Sequence, residues 1–138
     1  MPMLPHEVFR KMRSARTKDE RVKLLKDNDH WALKDIIRGS MDSTVQWNLP
    51  GGSPPYTASE EHNAPTSIFR EHKKFGYFVK GGKGDKLPAV KRENIFIGIL
   101  EGIHPEDAQL VVDMINKEVA KPLTRPMVDE AFPGLLRD

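Results

Sequence analysis

Basic residues are concentrated in the middle of the chain, where residues 67–92 carry eight Lys/Arg against two Asp/Glu. The members of this basic stretch are Arg70, Lys73, Lys74, Lys80, Lys83, Lys86, Lys91 and Arg92. Such a surface attracts nucleic-acid phosphates because binding releases counterions, and exposed aromatic rings such as that of Tyr77 can stack on bases. The alternative is a solvated face above core aromatics, which the helical spacing of Phe75 and Phe78 favours.

A glycine-rich string, GGKGDK at residues 81–86, interrupts the basic stretch and predicts a mobile, basic surface loop. It is not a Walker motif, because it lacks the GxxxxGK[ST] spacing and no strand signal precedes it. The C-terminal third is acidic in contrast, with four Lys/Arg against nine Asp/Glu in residues 93–138. The lysines could therefore also pair with acidic groups of the same chain.

Histidine and acidic residues that could bind a metal or perform hydrolysis occur mostly as sequence neighbours. The groups are Glu60, Glu61 and His62, then Glu71 and His72, then His104, Glu106 and Asp107. Neighbouring side chains diverge on a helix, whereas a zinc or two-metal site needs three or more convergent ligands. We therefore favour structural roles, with His104 as a helix cap and His72 on a helix stripe. The chain has no cysteine, and we predict no catalytic residue, metal or cofactor.

The last apolar residues of the chain, Phe132, Leu135 and Leu136, follow the acidic pair Asp129-Glu130. They loosely resemble the tail peptides through which replication and transcription proteins engage phage sliding clamps. These three residues are therefore a candidate partner-binding site. The alternative is a final helix that closes the core, and it is favoured because Phe132 shares a helix face with the apolar residue four positions earlier.

The elements that must position these residues are helices. Length and composition predict a single domain over residues 1–138, with no apolar run long enough to span a membrane. Apolar residues recur at helical spacing over Ile95–Ile103 and again over Ala108–Val119. We expect two helices joined by a tight corner at Gly102–Pro105, since proline suits the first position of a helix.

Around this pair the sequence predicts a mostly α fold, a compact bundle of about six short helices. The other helices are expected at residues 5–14, 18–26, 31–39, 66–79 and 127–132. Thr17 and Glu20 form a capping-box pattern for the second helix. Asn28-Asp29 and Gly39 are the expected start and end signals of the third, with Trp31 among its apolar residues.

Residues 40–65 contain few apolar groups and several prolines and glycines. This composition predicts a long, irregular Pro/Gly-rich loop between the third and fourth helices. A loop of this length is usually either functional or disordered. Its segment 52–56 could adopt a polyproline II conformation and bind a partner's aromatic groove. The alternative, which we favour, is that it wraps its own domain.

Four strings of the chain carry a family resemblance when they are taken together. In order they are TVQWNLPGGSPPY, FGYFVKGG, NIFIGILEGIHPEDA and VDEAFPGLL. They resemble an uncharacterised family of small proteins encoded by large contractile-tailed phages of cyanobacteria and other marine bacteria. The resemblance covers about Val22 to Leu136 and implies a phage gene product made in the host bacterial cytoplasm during infection. It carries over no activity, ligand or catalytic residue.

These observations lead to two functional predictions. The first is a non-enzymatic phage accessory protein that binds nucleic acid, or a nucleic-acid-handling machine, through the basic stretch. The second is a protein–protein interaction module, either a small virion component or a host-directed adaptor. It would bind a phage or host protein through the Pro-rich loop or the acidic tail. An enzyme ranks third, because no catalytic group of residues is preferred over its structural explanation.

Overall fold

A computed structural model describes residues 2–138, and over that range the chain forms seven α-helices and one 3-10 helix. The α-helices are α1 (Pro5–Ser14), α2 (Lys18–Asp27), α3 (Trp31–Met41), α4 (Ile68–Glu71), α5 (Ala89–Gly102), α6 (Pro105–Ile115) and α7 (Arg125–Ala131). The 3-10 helix, His72–Phe78, continues directly from α4. The mostly helical class is confirmed. Within the described range, no helix has the length and apolarity needed to cross a membrane.

The expected corner between two apolar helices is formed by α5 and α6. Leu100 and Ile103 are fully buried at the end of the first helix, and Val111 is fully buried in the second. His104 caps α6, because its Nδ1 accepts a hydrogen bond of 3.1 Å from the Glu106 amide. Helices α1 and α3 pack against α6, the 3-10 helix packs against α5, and α2 packs against α1 and α7.

The second apolar face is shorter than the sequence pattern indicates. Helix α6 ends at Ile115, and Val119 is 40% exposed. The chain leaves the helix where Lys117 adopts a left-handed φ of 58°. The Lys117 ammonium donates hydrogen bonds of 2.9 Å to the carbonyl oxygens of Gly39 and Asp42. These bonds to the end of α3 stabilise the turn that stops the helix.

Helix α3 differs from the prediction at both ends. Its cap is His30, whose Nδ1 accepts a hydrogen bond of 2.9 Å from the Ala32 amide, whereas Asn28 instead bonds backbone groups of Met3 and Leu24. The helix also continues through Gly39 to Met41. The predictions of a cap at residues 28–29 and of a stop at residue 39 are therefore wrong.

Residues 42–67, which connect α3 to α4, contain no helix in the described chain. Trp47 forms an isolated antiparallel bridge with Val79, just after the 3-10 helix. Farther along, the Asn116 side chain bonds both backbone polar groups of Gly52, at 2.7 and 3.1 Å. The Thr57 amide donates a hydrogen bond of 2.9 Å to the Glu101 carboxylate. The segment therefore lies along α5 and the end of α6.

Candidate nucleic-acid interface

The central part of the basic stretch is one packed unit, made of the 3-10 helix and the loop that follows it at residues 79–87. Gly84 is buried against the helix so closely that a Cβ there would lie 1.8 Å from the Tyr77 carbonyl oxygen. A Cβ on Gly82 would lie 2.5 Å from the Gly76 carbonyl oxygen. Only glycine permits such close approach of two backbones. The glycines thus serve packing inside the protein.

Hydrogen bonds hold this loop, which the sequence led us to expect as mobile. The Asp85 carboxylate accepts bonds from the Gly81 amide at 2.7 Å and from the Asn48 side chain at 3.2 Å. Arg92 is only 8% exposed, and its guanidinium donates to the carbonyl oxygens of Asn48 and Leu87 at 2.8 and 3.1 Å. The prediction that Arg92 contacts phosphates is therefore corrected. Its guanidinium is buried, and the N–H groups that could bind a phosphate donate to backbone carbonyl oxygens instead.

The other seven predicted residues have exposed side chains and are called the basic face below. They are Arg70, Lys73, Lys74, Lys80, Lys83, Lys86 and Lys91. Lys74 pairs with Glu71 at 2.8 Å, and the Lys83 ammonium lies 4.6 Å from the centroid of the Tyr77 ring. The remaining five make no ion pair with any residue from 2 to 138. Their charge is therefore free to meet an external anion.

The phenylalanines of the basic stretch belong to the core, as the alternative interpretation held. Phe75 is 4% exposed, and Phe78 is fully buried against Phe96 at a centroid distance of 5.2 Å. Trp31 offers an exposed aromatic surface nearby, because its side chain is 54% exposed at the start of α3. Trp31 counts among the apolar residues expected for this helix, and apolar character alone does not predict its exposure. Its helical spacing with the polar Asp35 and with Arg38 was the signal that could have corrected this.

A groove runs between α3 and the 3-10 helix beside the basic face, and we call it the α3 groove. Its volume is about 500 Å³. Its lining includes Trp31, Asp35, Arg38, Trp47, His72, Lys73 and Phe75. The Asp35 carboxylate pairs with His72 Nδ1 at 2.7 Å. Burial raises the pKa of Asp35, and the hydrogen bond from His72 opposes that rise.

A second polar cluster, at the α5–α6 corner, brings ligand-type atoms of His6, His104 and Glu106 within 4.8 Å of one another. The two imidazoles stack at 4.0 Å with an interplanar angle of 19°. A histidine nitrogen binds a metal along a lone pair in its ring plane, and nearly parallel planes this far apart do not meet at one ion about 2.1 Å from each nitrogen. His104 Nδ1 is also occupied by the Glu106 amide. We therefore assign these side chains a structural role at the corner rather than a role as metal ligands.

The tail residues proposed for partner binding lie in the core. Phe132, Leu135 and Leu136 are 7%, 8% and 7% exposed. Two bonds fix the chain end to the loop after α3: the Arg137 amide donates to Asp42 and the Ser43 amide donates to Asp138, each at 2.8 Å. A partner pocket could reach these side chains only after the tail had left the core. The prediction that these three residues form a partner-binding site is therefore corrected, because their side chains close the core of the fold.

Comparison with family models matches residues 8–121 to a family of unknown function (DUF6433). Comparison with curated proteins gives no match. The matched range includes most of α1, all of α2 to α6, the basic face and the α3 groove, and it ends before α7 and the tail.

Proposed function

The chain belongs to a family of unknown function, DUF6433, and we propose that it is a non-enzymatic accessory protein that binds nucleic acid through its basic face. On the resemblance of its four sequence strings, we also propose that it is a phage gene product. It would act in the host bacterial cytoplasm during infection, on nucleic acid or on a machine that handles it.

The observation that carries the proposal is the display of seven exposed cations from one continuous part of the fold, between α4 and the first turn of α5. Basic side chains in such an arrangement contact phosphates and set the position of the protein on the strand without reading sequence. Close backbone packing at Gly84 fixes the loop that carries Lys83 and Lys86. The backbone that carries these two lysines is therefore held against the 3-10 helix.

The acidic groups of this region have internal partners, which supports the proposal further. Asp85 accepts the hydrogen bonds that close the loop. Glu71 is 8% exposed and accepts a hydrogen bond of 3.1 Å from the Thr66 hydroxyl. These bonds hold both carboxylates in place, and the seven exposed cations outnumber them, so we expect a positive field outside the basic face.

The test is the salt dependence of binding to duplex DNA and to a single strand. For duplex DNA the slope of log affinity against log salt is about −0.9 per phosphate contact. Replacing Lys73, Lys80, Lys83 and Lys86 by Gln should therefore make that slope shallower by about 3 to 4. The matched control replaces four exposed basic residues elsewhere, Lys11, Arg13, Lys26 and Lys121. No binding at low salt, or equal losses in the two variants, would overturn the proposal.

A second candidate function is a protein–protein interaction module, in the form of a small virion component or a host-directed adaptor. It is favoured by an apolar pocket of about 230 Å³ between the Pro-rich segment and α5, lined by Leu49, Pro54 and Ile97. The same segment is bonded to its own domain through Gly52 and Thr57, which favours the first candidate. Mass spectrometry of purified virions tests the virion form, since absence from particles would exclude it.

A further inference from the structure

We propose that the α3 groove binds one nucleotide of a single-stranded nucleic acid, with the base against its aromatic side chains and the phosphate between Arg38 and Lys73. The inference rests on the proposed function, because the basic face would hold the neighbouring phosphates of the same strand. It adds a preference for single strands, which phosphate contacts alone do not provide.

The walls of the groove present a matched set of side chains. Trp31, Asp35 and Arg38 follow one another at i, i+4 and i+7, so they lie on the same face of α3. The 3-10 helix opposite contributes Lys73 and Gly76, which share a face at i and i+3. The volume of about 500 Å³ lies in the range of roughly 300–1,000 Å³ that small-molecule sites occupy. A nucleotide is a ligand of this size.

The aromatic groups of the groove suit a flat ring. Trp31, the one aromatic residue of α3, is 54% exposed, and the Lys34 ammonium lies 4.2 Å from the centroid of its ring. Trp47 is fixed beside Phe75, with centroids 6.4 Å apart and the rings at 88°. Bases stack on such side chains with little dependence on sequence, because every base has a π face.

The charges available in the groove favour an anion. Arg38 and Lys73 lie on opposite walls, and neither forms an ion pair within the part of the chain that the structure describes. The one carboxylate of the lining, Asp35, is hydrogen-bonded to His72 Nδ1 at 2.7 Å and is outnumbered by the two cations. A ligand therefore meets two free cations beside an aromatic surface. A planar ring joined to a phosphate satisfies both features at once.

A base can enter a groove only when it is not stacked and paired in a helix. Single strands leave their bases free to splay onto aromatic side chains, whereas duplex DNA presents its phosphates outward and keeps its bases stacked. The groove should therefore add affinity for single strands and leave duplex binding to the basic face.

The experiment compares wild type with Trp31→Ala, using oligothymidylate, oligouridylate and a duplex of equal length. We expect Trp31→Ala to weaken single-strand binding by roughly 5- to 100-fold, as for the loss of one stacked base, with unchanged duplex affinity. Trp31→Phe should retain most of the single-strand affinity. The same variant should reduce the quenching of tryptophan fluorescence by the bound strand to the part that comes from Trp47, the other indole of the groove. Arg38→Gln should make the single-strand salt slope shallower by about 0.7.

The outcomes separate this inference from the proposed function. If wild type binds single strands and duplex equally, and Trp31→Ala changes neither affinity, the groove assignment is wrong and the basic face stands. If wild type binds no nucleic acid at low salt, both are wrong. Circular dichroism of each variant shows whether the fold is retained, which we expect because Trp31 is exposed. Comparison of oligouridylate with oligodeoxyuridylate, which lacks only the 2′-hydroxyl, shows whether the groove prefers RNA or DNA.

Discussion

Trp47 and Gly39 are in direct contact, because the Trp47 indole Nε1 donates a hydrogen bond of 2.9 Å to the Gly39 carbonyl oxygen. A Cβ on residue 39 would lie 2.6 Å from Cζ2 of that indole and 2.7 Å from Sδ of Met114. The missing side chain thus lets α3 approach both α6 and the indole that lines the α3 groove. A glycine in the interior of this helix is required by packing.

Gly39→Ala should destabilise the protein. Alanine gains about 1 kcal/mol over glycine in a helix interior, but overpacking a filled core costs about 1–3 kcal/mol. The indole is held by its hydrogen bond and Met114 is fully buried, so we expect a net loss of about 1 kcal/mol in the free energy of unfolding. Urea denaturation with an unchanged m value measures it. An unchanged or raised stability would show that Trp47 and Met114 can make room for the new methyl group at no cost.

Gly84→Ala should lower nucleic-acid affinity without altering any charge. The new Cβ would meet the Tyr77 carbonyl oxygen, so the loop must move away from the 3-10 helix and carry Lys83 and Lys86 with it. We expect the duplex salt slope to become shallower by up to about 2, as for the loss of two phosphate contacts.

The matched control for both glycine variants is Gly98→Ala, at an exposed position of α5 where a Cβ would meet nothing within 4 Å. It should raise stability by up to about 1 kcal/mol and leave nucleic-acid affinity unchanged. If Gly84→Ala binds duplex DNA as wild type does, the packed loop has no part in binding.

Much of the fold was predictable because its signals are local. The apolar periods of α1, α2, α5 and α6 need only a few turns of sequence, and the caps at Thr17 and His104 need only the next two or three amides. The Glu20 side chain shows the limit of such rules, since it accepts a bond from the Arg16 amide rather than from Thr17. Gly39 shows it more strongly, because a local rule takes this packing glycine for a helix end.

The candidate site was less predictable, because exposure within it depends on distant segments. Lys91 and Arg92 are neighbours with the same charge, yet the loop and Asn48 bury only the second. No residue near Arg92 in the sequence predicts that its side chain is buried. Trp31 is the reverse case, since its apolar character suggested the core whereas the polar face of α3 leaves it in solvent. The helical spacing of Trp31 with Arg38 was available to correct that assignment.

Arg92 and Lys91 should therefore differ sharply when each is replaced. Arg92→Ala leaves buried carbonyl oxygens of the loop without donors, and we expect a loss of about 3 kcal/mol in the free energy of unfolding. Arg92→Lys keeps the charge but not the forked donors, so it should be intermediate. Lys91→Ala should change stability by less than about 0.5 kcal/mol while weakening duplex binding. Thermal unfolding and duplex binding, measured on the same samples of each variant, test this difference. Equal stability losses in Arg92→Ala and Lys91→Ala would show that the two residues do not differ.

The apolar tail should behave as core. Phe132→Ala removes a side chain that is 7% exposed, and we expect a loss of about 3–5 kcal/mol. Arg137→Ala is the control, because this exposed residue contacts Asp42 through its backbone amide only; we expect a change below about 0.5 kcal/mol. A Phe132→Ala protein as stable as wild type would show that the tail leaves the core easily and is free to enter a partner's pocket.

Stability should depend on pH through His6 and Asp107. His6 is 8% exposed, and its Nδ1 lies 2.9 Å from an oxygen of the fully buried Asp107 carboxylate. Burial by itself lowers the pKa of His6, but the hydrogen bond and the charge of Asp107 outweigh burial and raise it above 6.5. Because the folded protein then holds the proton more tightly than the unfolded chain, this stabilisation is complete below pH 6.5. It is lost as the pH rises through the raised pKa.

The free energy of unfolding of wild type should therefore fall as the pH rises above 6.5, and His6→Gln should remove that fall. The pKa of His30 is lowered, mainly by burial, so its contribution is present above pH 6.5 and is lost only as the pH falls further. The window above pH 6.5 thus isolates His6 from His30. His62→Gln, at an exposed position, is the control and should retain the wild-type profile. If the stability of wild type did not change with pH in this window, the assignment would be wrong. The folded protein would then bind the His6 proton no more tightly than the unfolded chain does.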